Sequence, residues 1–284
     1  MVRRGWFVAL VSTPDHPSSR NNAPGEATLT VDGVTGAVPE PLPTWLTAAE
    51  RITALTGAGI STDSGIPDYR GPDGVWTKNP EAEKLATLSY YVSDPDIRRR
   101  AWLMRRDMRA LQPRPNAGHA ALADLERQGR LRTIVTQNVD GLHQAAGSSP
   151  ERVVEVHGTV HEVECLGCRA RTTMDEALER MAAGEPDPAC LECGGMLKSA
   201  TISFGQELDG RTIDAAVEAA RDCDVFLAVG TSLQVWPVAG LVEVAARAGA
   251  HVVIVNAEPT PYDDVASLVV SEPIGTSLPR LLAR

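Results

Sequence analysis

Four short stretches carry residue types able to do chemistry. The first is TQNVDGLH, residues 136–143. Gln137, Asn138 and Asp140 cluster there, where the apolar run RTIV gives way to polar residues. Two amides and a carboxylate offer the donors and acceptors that ribose hydroxyls and a carboxamide need. Asp140 equally suits the N-cap of the GLHQAAG segment that follows. The second is EVHGTVHEVEC, which sets His157 between an apolar run and Gly158. An imidazole there can take a proton near neutral pH. Of the six histidines, His16 falls in an unpatterned N-terminal stretch, and His119 and His251 read as structural. His143 and His161 rival His157 for the role.

The third stretch holds Cys165, Cys168, Cys190 and Cys193, two C-x-x-C pairs separated by 21 residues. That spacing matches a zinc ribbon. Four thiolates close the tetrahedron and leave no position for water, so the metal would be structural. A pair of disulfides would need an oxidising compartment, and a redox dithiol needs only one pair. The remaining Cys223 reads as a small residue at the edge of a core.

A fourth stretch, GAGISTDSGIPDYRGPDGVW (57–76), opens with Gly57 and Gly59 after an apolar run. Such glycines let backbone N–H groups approach a phosphate. The dehydrogenase fingerprint would want a third glycine where Thr62 stands, and an acidic residue at the end of the next strand. Neither is present. A nucleotide is expected, and ordinary hydride transfer is not.

These residues need elements to hold them. PTWLTAAERI reads as a helix capped by Thr44, and ITALT as a strand. DPDIRRRAWLMRRDMRAL carries a helix start at Asp94-Pro95, with an apolar face through Ile97, Ala101, Met104, Met108 and Leu111. Further helices are expected in NAGHAALADLERQG, TMDEALERMAAG, IDAAVEAARDCD and PVAGLVEVAARAG. RTIVTQN, RVVEVHG, VFLAVGTS and HVVIVNAEPT read as strands. Strand-then-helix alternation with continuous apolar strands implies an α/β parallel sheet covered on both faces. Ligands in such sheets bind past the carboxyl ends, where the polar tips GAGIS, TQNVD, GTS and NAE fall.

The chain has 284 residues, 43% hydrophobic, and a formal net charge of −10. That is enough for a sizeable core and argues against nonspecific nucleic-acid binding. Arg3 and Arg4 precede an apolar run, Trp6 to Val11, that is too short for a secretory signal. No run of 18 apolar residues suggests a membrane span. A cytoplasmic protein is expected, with residues 1–40 as a flexible extension. The sequence carries no signal for an oligomeric state.

In this order, from about residue 48 to the C-terminus, the motifs resemble the sirtuins, the NAD-dependent protein deacylases. GAGIST-DSGIPDYR, TQNVDGLH, the His157-Gly158 pair, the four cysteines, GTSLQVWP and the late NAE carry the resemblance. GIPDYRG, the long helix ahead of QPRPNAGHAAL, and SEPIGTSLPRLL look most like the class II branch. The family implies a Rossmann-like doubly wound parallel sheet with a small zinc-ribbon plus helical module. Residues 41–71, 114–160 and 200–284 would form the NAD-binding domain. The helical insertion 72–113 and the zinc module 161–199 would form the small one.

By the same resemblance, NAD is a consumed co-substrate and one Zn2+ per chain is structural. His157 would be the general base, with Asn138, Asp140 and Arg70 as its catalytic neighbours. Gly57, Ala58, Gly59, Ile60, Ser61, Asp68, Tyr69, Arg70 and Trp76 would wrap the NAD pyrophosphate and cover the nicotinamide side. Gln137, Asn138, Val139 and Asp140 would hold the ribose and carboxamide. Gly230, Thr231, Ser232, Asn256, Ala257, Glu258 and Ile274 would take the adenosine side. An acyl-lysine peptide would add as a strand between Phe204-Gly205 and Val235. The family reaction ends in free lysine, nicotinamide and O-acyl-ADP-ribose. Mono-ADP-ribosyl transfer would use the same pocket, and a non-catalytic NAD-sensing module is the third reading.

Two departures stand out. Gln206 replaces the Glu usual after Phe-Gly. Branches that prefer succinyl-lysine carry Tyr-x-x-Arg in the insertion helix, where this chain has Trp102-x-x-Arg105. Arg105 or Arg106 could meet an acidic acyl group, although a solvated basic helix face is the expected reading.

Overall fold

The structure, a computed structural model, describes residues 35–283. The expected N-terminal extension lies outside the described residues as far as residue 34, with the Trp6–Val11 run and His16. In chain order the strands are β1 (Thr35–Gly36), β2 (Ile52–Thr56), β3 (Leu131–Thr136), β4 (Val153–Glu155), β5 (Gly158–Cys165), β6 (Arg171–Thr173), β7 (Leu197–Thr201), β8 (Val225–Val229), β9 (His251–Val255) and β10 (Leu268–Val270). Seven of them form one parallel sheet in the order β1-β10-β9-β8-β2-β3-β4. Thr35 and Gly36, inside the expected extension, pair with Val269 and Val270 and so belong to this sheet.

Strand alternation sorts the core into two layers. Ile52, Ala54, Ile134, Val225, Leu227, Val253 and Val255 face one way. The helices Ala117–Arg127 and Ile274–Leu282 cover them, through residues such as Leu122, Leu125, Leu278 and Leu281. Leu55, Val135, Phe226, Ala228, Val252 and Ile254 face the other way. They meet the helices Gly210–Arg221 and Leu241–Arg247. Burial on both sides is why these strands read as unbroken apolar runs.

The chain steps from β2 to β3 to β4 in one direction, and from β8 to β9 to β10 in the other. The order therefore reverses between β2 and β8, and the carboxyl ends there open a crevice.

A second sheet, antiparallel in the order β6-β5-β7, was not read from the sequence. It shares a small core with the helix Pro95–Ala110: Trp102, Val163, Cys165, Met174, Ala177, Cys190 and Leu197. Asp94 caps that helix as expected, its side chain accepting from the N–H groups of Asp96 and Ile97. Its buried stripe runs through Ile97, Ala101 and Trp102, whereas Leu111 is 64% exposed. The first expected helix is reduced to Thr44–Thr47, and its N-cap is Pro43 rather than Thr44. The Pro43 carbonyl accepts from both Leu46 and Thr47, and the chain then turns into β2.

Candidate active site

The glycines come first, because they set how closely two strand ends can approach. A Cβ on Gly59 would lie 2.8 Å from the Gly230 Cα, and one on Gly57 2.7 Å from the Gly230 carbonyl oxygen. Gly230 itself sits at φ +59°, with space for no Cβ beside the Ile60 nitrogen. The N–H groups of Gly57 and Gly59 donate to the carbonyls of Val229 and Gly230, at 3.1 and 2.8 Å. This corrects the reason given for these glycines. Their donors are consumed in joining the β2 and β8 loops, and the missing side chains are what lets the loops touch.

Around that joint lies a cavity of about 740 Å³. His157 lines it, just past β4. Its Nδ1 is 3.0 Å from the Gln137 carbonyl oxygen, which can only accept, so Nδ1 carries the proton. Nε2 is then a bare lone pair, buried and with no protein partner among the described residues. Burial lowers the pKa of this ring below its ordinary value, only partly offset by the Gln137 carbonyl. The rivals are engaged elsewhere. His161 Nε2 donates to the Asp140 carbonyl at 3.0 Å, and His143 is buried against Thr56. Neither lines the cavity.

Asn138 spends both amide hydrogens, on the Gly57 carbonyl at 3.0 Å and the Ser61 hydroxyl at 3.2 Å. The Ser61 hydroxyl in turn donates to Asp140 Oδ2 at 2.7 Å, and Asp140 Oδ1 accepts from Leu142 N–H at 3.0 Å. Asp140 is not the N-cap its position suggested, a place Gly141 takes, but its side chain holds the turn just ahead of the helix Leu142–Ala145, and it lines the cavity. Gln137 Nε2 donates to Thr231 Oγ1 at 2.9 Å, tying the β3 tip to the β8 tip.

The cavity lining takes in nearly every residue assigned to NAD from the sequence. Arg70 lies over the Trp76 ring, 4.8 Å from its centroid. Trp76 also packs against Tyr69 and, at 5.3 Å, against Phe204. Asn256, Ala257, Glu258 and Ile274 close the far side. Ile60 is an exception: its side chain is buried in the main core, and its N–H donates to the Gly57 carbonyl. Of the residues expected along the peptide, Gly205 falls outside the lining and turns the chain at φ +80°. Phe204 and Val235 both border the cavity. Gln206 keeps to its own turn, its Oε1 accepting from Ser203 N–H at 3.2 Å.

One wall was missed. Tyr91, Trp102, Arg105, Met108, Lys198 and Thr201 line the cavity, brought there by the insertion helices and β7. Tyr91 Oη donates to the Leu197 carbonyl at 2.6 Å, and Arg105 Nη2 reaches Thr201 Oγ1 at 3.5 Å. The expected solvated basic face therefore holds for Arg106 but not for Arg105. Arg105 has no carboxylate partner among the described residues. Burial pushes the Lys198 ammonium down to about 7, and Arg105 adds to that. The sequence offered Arg105 only through the Trp102-x-x-Arg105 spacing, which left it level with Arg106.

The four cysteines come together as expected, with all sulfurs within 4.8 Å of one another. Two pairs, Cys165–Cys193 and Cys168–Cys190, stand 3.5 and 3.6 Å apart. Tetrahedral zinc with bonds of about 2.3 Å sets sulfurs about 3.8 Å apart, so this donor set fits zinc. The cluster lies outside the cavity lining.

Comparison with known proteins follows from this geometry. The model of the Sir2 family matches residues 57–237. NAD-dependent protein deacetylase 2 of Streptomyces coelicolor is 57% identical over 237 residues, 84% of this chain and 98% of that protein. NAD-dependent protein deacylase 2 of Archaeoglobus fulgidus is 40% identical over 239 residues, 84% of this chain and 92% of that one. A solved complex of Sir2, p53 peptide and NAD+ superposes with a TM-score of 0.75 at 32% identity, over 84% of this chain and 94% of that one.

Proposed function

The chain belongs to the Sir2 family, and from that premise we infer an NAD-dependent protein-lysine deacylase acting in the cavity between β2 and β8. The observation that carries the reading is His157: a buried, unpartnered Nε2 lone pair on a neutral imidazole in the cavity with Gln137, Asn138 and Asp140. NAD, when bound, would supply the ribose that accepts the acyl group; one water is consumed, and free lysine, nicotinamide and O-acyl-ADP-ribose are the products. The chain's own groups do the rest. Asp140 and Gln137, which line the cavity, would hold the nicotinamide ribose, where a fixed carboxylate suits developing positive charge. Asn138 has its amide hydrogens committed, so its Oδ1 is the atom it offers to a ligand. His157 Nε2 takes a proton from a ribose hydroxyl, and burial keeps it unprotonated for that task. Trp76, Tyr69 and Phe204 exclude water over the site.

The acyl-lysine enters between the Phe204 and Val235 loops. Its acyl group reaches the wall of Tyr91, Trp102, Arg105 and Lys198. An arginine in a cavity wall without a carboxylate partner favours an acyl chain that ends in one. We therefore assign this chain a preference for acidic acyl groups such as succinyl over acetyl. The same reading places the protein in the cytoplasm, where thiols stay reduced for zinc.

The test is incubation with NAD labelled in its adenosine half and acetyl- and succinyl-lysine peptides. Free labelled O-acyl-ADP-ribose is the expected product. Label retained on the acceptor protein would make this a mono-ADP-ribosyltransferase instead. His157→Ala should lower turnover at least about a hundredfold while NAD still binds.

A further inference from the structure

Two histidines lie beneath the cavity and take no part in the reaction as read above. His119 is fully buried, and His143 is 1% exposed. Their rings are 5.0 Å apart, and neither reaches the cavity lining. His119 begins as a helix-capping residue. Asn116 caps the helix Ala117–Arg127, and its backbone N–H donates back to His119 Nδ1 at 3.3 Å. Nδ1 is therefore an acceptor, and in the neutral ring the proton must sit on Nε2.

That proton has one destination. His119 Nε2 lies 3.4 Å from Ser61 Oγ, which is 1% exposed. With Nε2 as donor, Ser61 accepts there and from Asn138 Nδ2, and its own hydrogen is left for Asp140 Oδ2. In the opposite tautomer Asn116 N–H would lose its acceptor, and the Ser61 proton would be drawn to the imidazole instead of the carboxylate. His143 follows the same rule. Thr56 Oγ1 donates to Thr136 Oγ1 at 2.8 Å, so His143 Nε2 donates to Thr56 at 2.9 Å. Thr136 Oγ1 then accepts from the Asn138 backbone N–H at 3.1 Å.

We propose that His119 is a positioning residue: held as an Nε2–H donor by the helix cap, it aims the Ser61 proton at Asp140 and fixes Asp140 and Asn138 for reaction. What the fixed pose accomplishes rests on the deacylase reading; the direction of the relay does not. Burial lowers the His119 pKa, opposed by Asp140, which agrees with a neutral ring whose two nitrogens have fixed roles. The groups facing His119 are Asp140, through Ser61, and the neutral His143.

Two conservative variants separate relay from cap. His119→Gln keeps an amide donor near the Nε2 position but loses the cap acceptor. His119→Asn keeps an acceptor near Nδ1 but loses the donor to Ser61. Positioning predicts that His119→Gln retains most of kcat, while His119→Asn loses about tenfold or more with little change in KM for the peptide. A purely capping role predicts the reverse order, and equal losses that follow the melting temperature would also overturn the proposal. Nitrogen NMR of the histidine-labelled full chain is the second measurement. It should find His119 as the Nε2–H tautomer, and an Nδ1–H tautomer would overturn the relay. A chain with the expected tautomer but no deacylation of any peptide would sink the deacylase reading while leaving the relay in place. A chain that deacylates, with both variants equally impaired, would do the opposite.

Discussion

Burial favours a neutral imidazole, and it lowers the pKa of three histidines here: His119, where Asp140 opposes it, His143 and His157. Burial holds each pKa below the ordinary 6.5, and His143 is pushed down to about 3 by burial and then by His119. Between the folded and unfolded values the unfolded chain binds more protons, so their cost to folding is absent above pH 6.5 and grows as pH falls. For His143 alone the loss between pH 6.5 and 5 is about 2 kcal/mol. Melting scans across that range should show a steady fall, and His143→Gln should flatten it; equal slopes in both proteins would refute the argument. Turnover should persist through pH 6.5, where a free imidazole is half protonated, and decline only at lower pH, because burial holds the His157 pKa below its ordinary value. Arg105 carries a second prediction. Arg105→Met should cut kcat/KM for a succinyl-lysine peptide at least about tenfold, and leave the acetyl peptide within a few-fold. Equal effects on both peptides would mean that Arg105 only shapes the wall.

Elements differ in how plainly they announced themselves. The helix Pro95–Ala110 was legible because Asp94 and Pro95 together form a local start signal. The helix Ile274–Leu282 was not, since Pro279 interrupts it; its place is decided by Leu278, Leu281 and Leu282 in the main core. The small sheet was missed because its half-buried strands pair antiparallel around metal knuckles, and β5 shows little clean alternation. At the β2–β8 joint the demand for glycine is steric and specific. Gly230→Ala would place a methyl 2.4 Å from the Ile60 nitrogen on a backbone at φ +59°. It should lower the melting temperature and abolish NAD binding together. Gly210→Ala, with nothing within 4 Å of its Cβ, should stay within about 0.5 kcal/mol of the parent. If both variants bind NAD alike, the joint is not what shapes the cavity.

Across the whole molecule, one small core has to hold a cavity wall in place. Seven buried residues link the zinc strands to the insertion helix, and Trp102 and Cys165 are both among them. So little apolar surface needs a metal to fold. Cys165→Ala, or strong chelation, should release zinc, disorder this core and remove activity together. A zinc-free protein that keeps its melting profile yet cannot turn over would instead place the metal in the chemistry. No helix among the described residues is long and apolar enough to cross a membrane.

By itself the sequence determined the parallel sheet, the polar strand tips, the four-cysteine site and the family, because each rests on residue type at short spacing. His157 was one of three rivals at that level. The family resemblance already pointed to His157, and the tertiary structure supplies the physical ground, since a tautomer depends on which carbonyl or amide lies opposite each nitrogen. The same holds for Arg105, which a helix surface would have left in water. It is half-buried in the cavity wall, where β7, 96 residues away in the chain, brings Thr201 within 3.5 Å. Spacing along the chain identifies the groups that can react; packing across the chain decides which of them are dry, neutral and aimed.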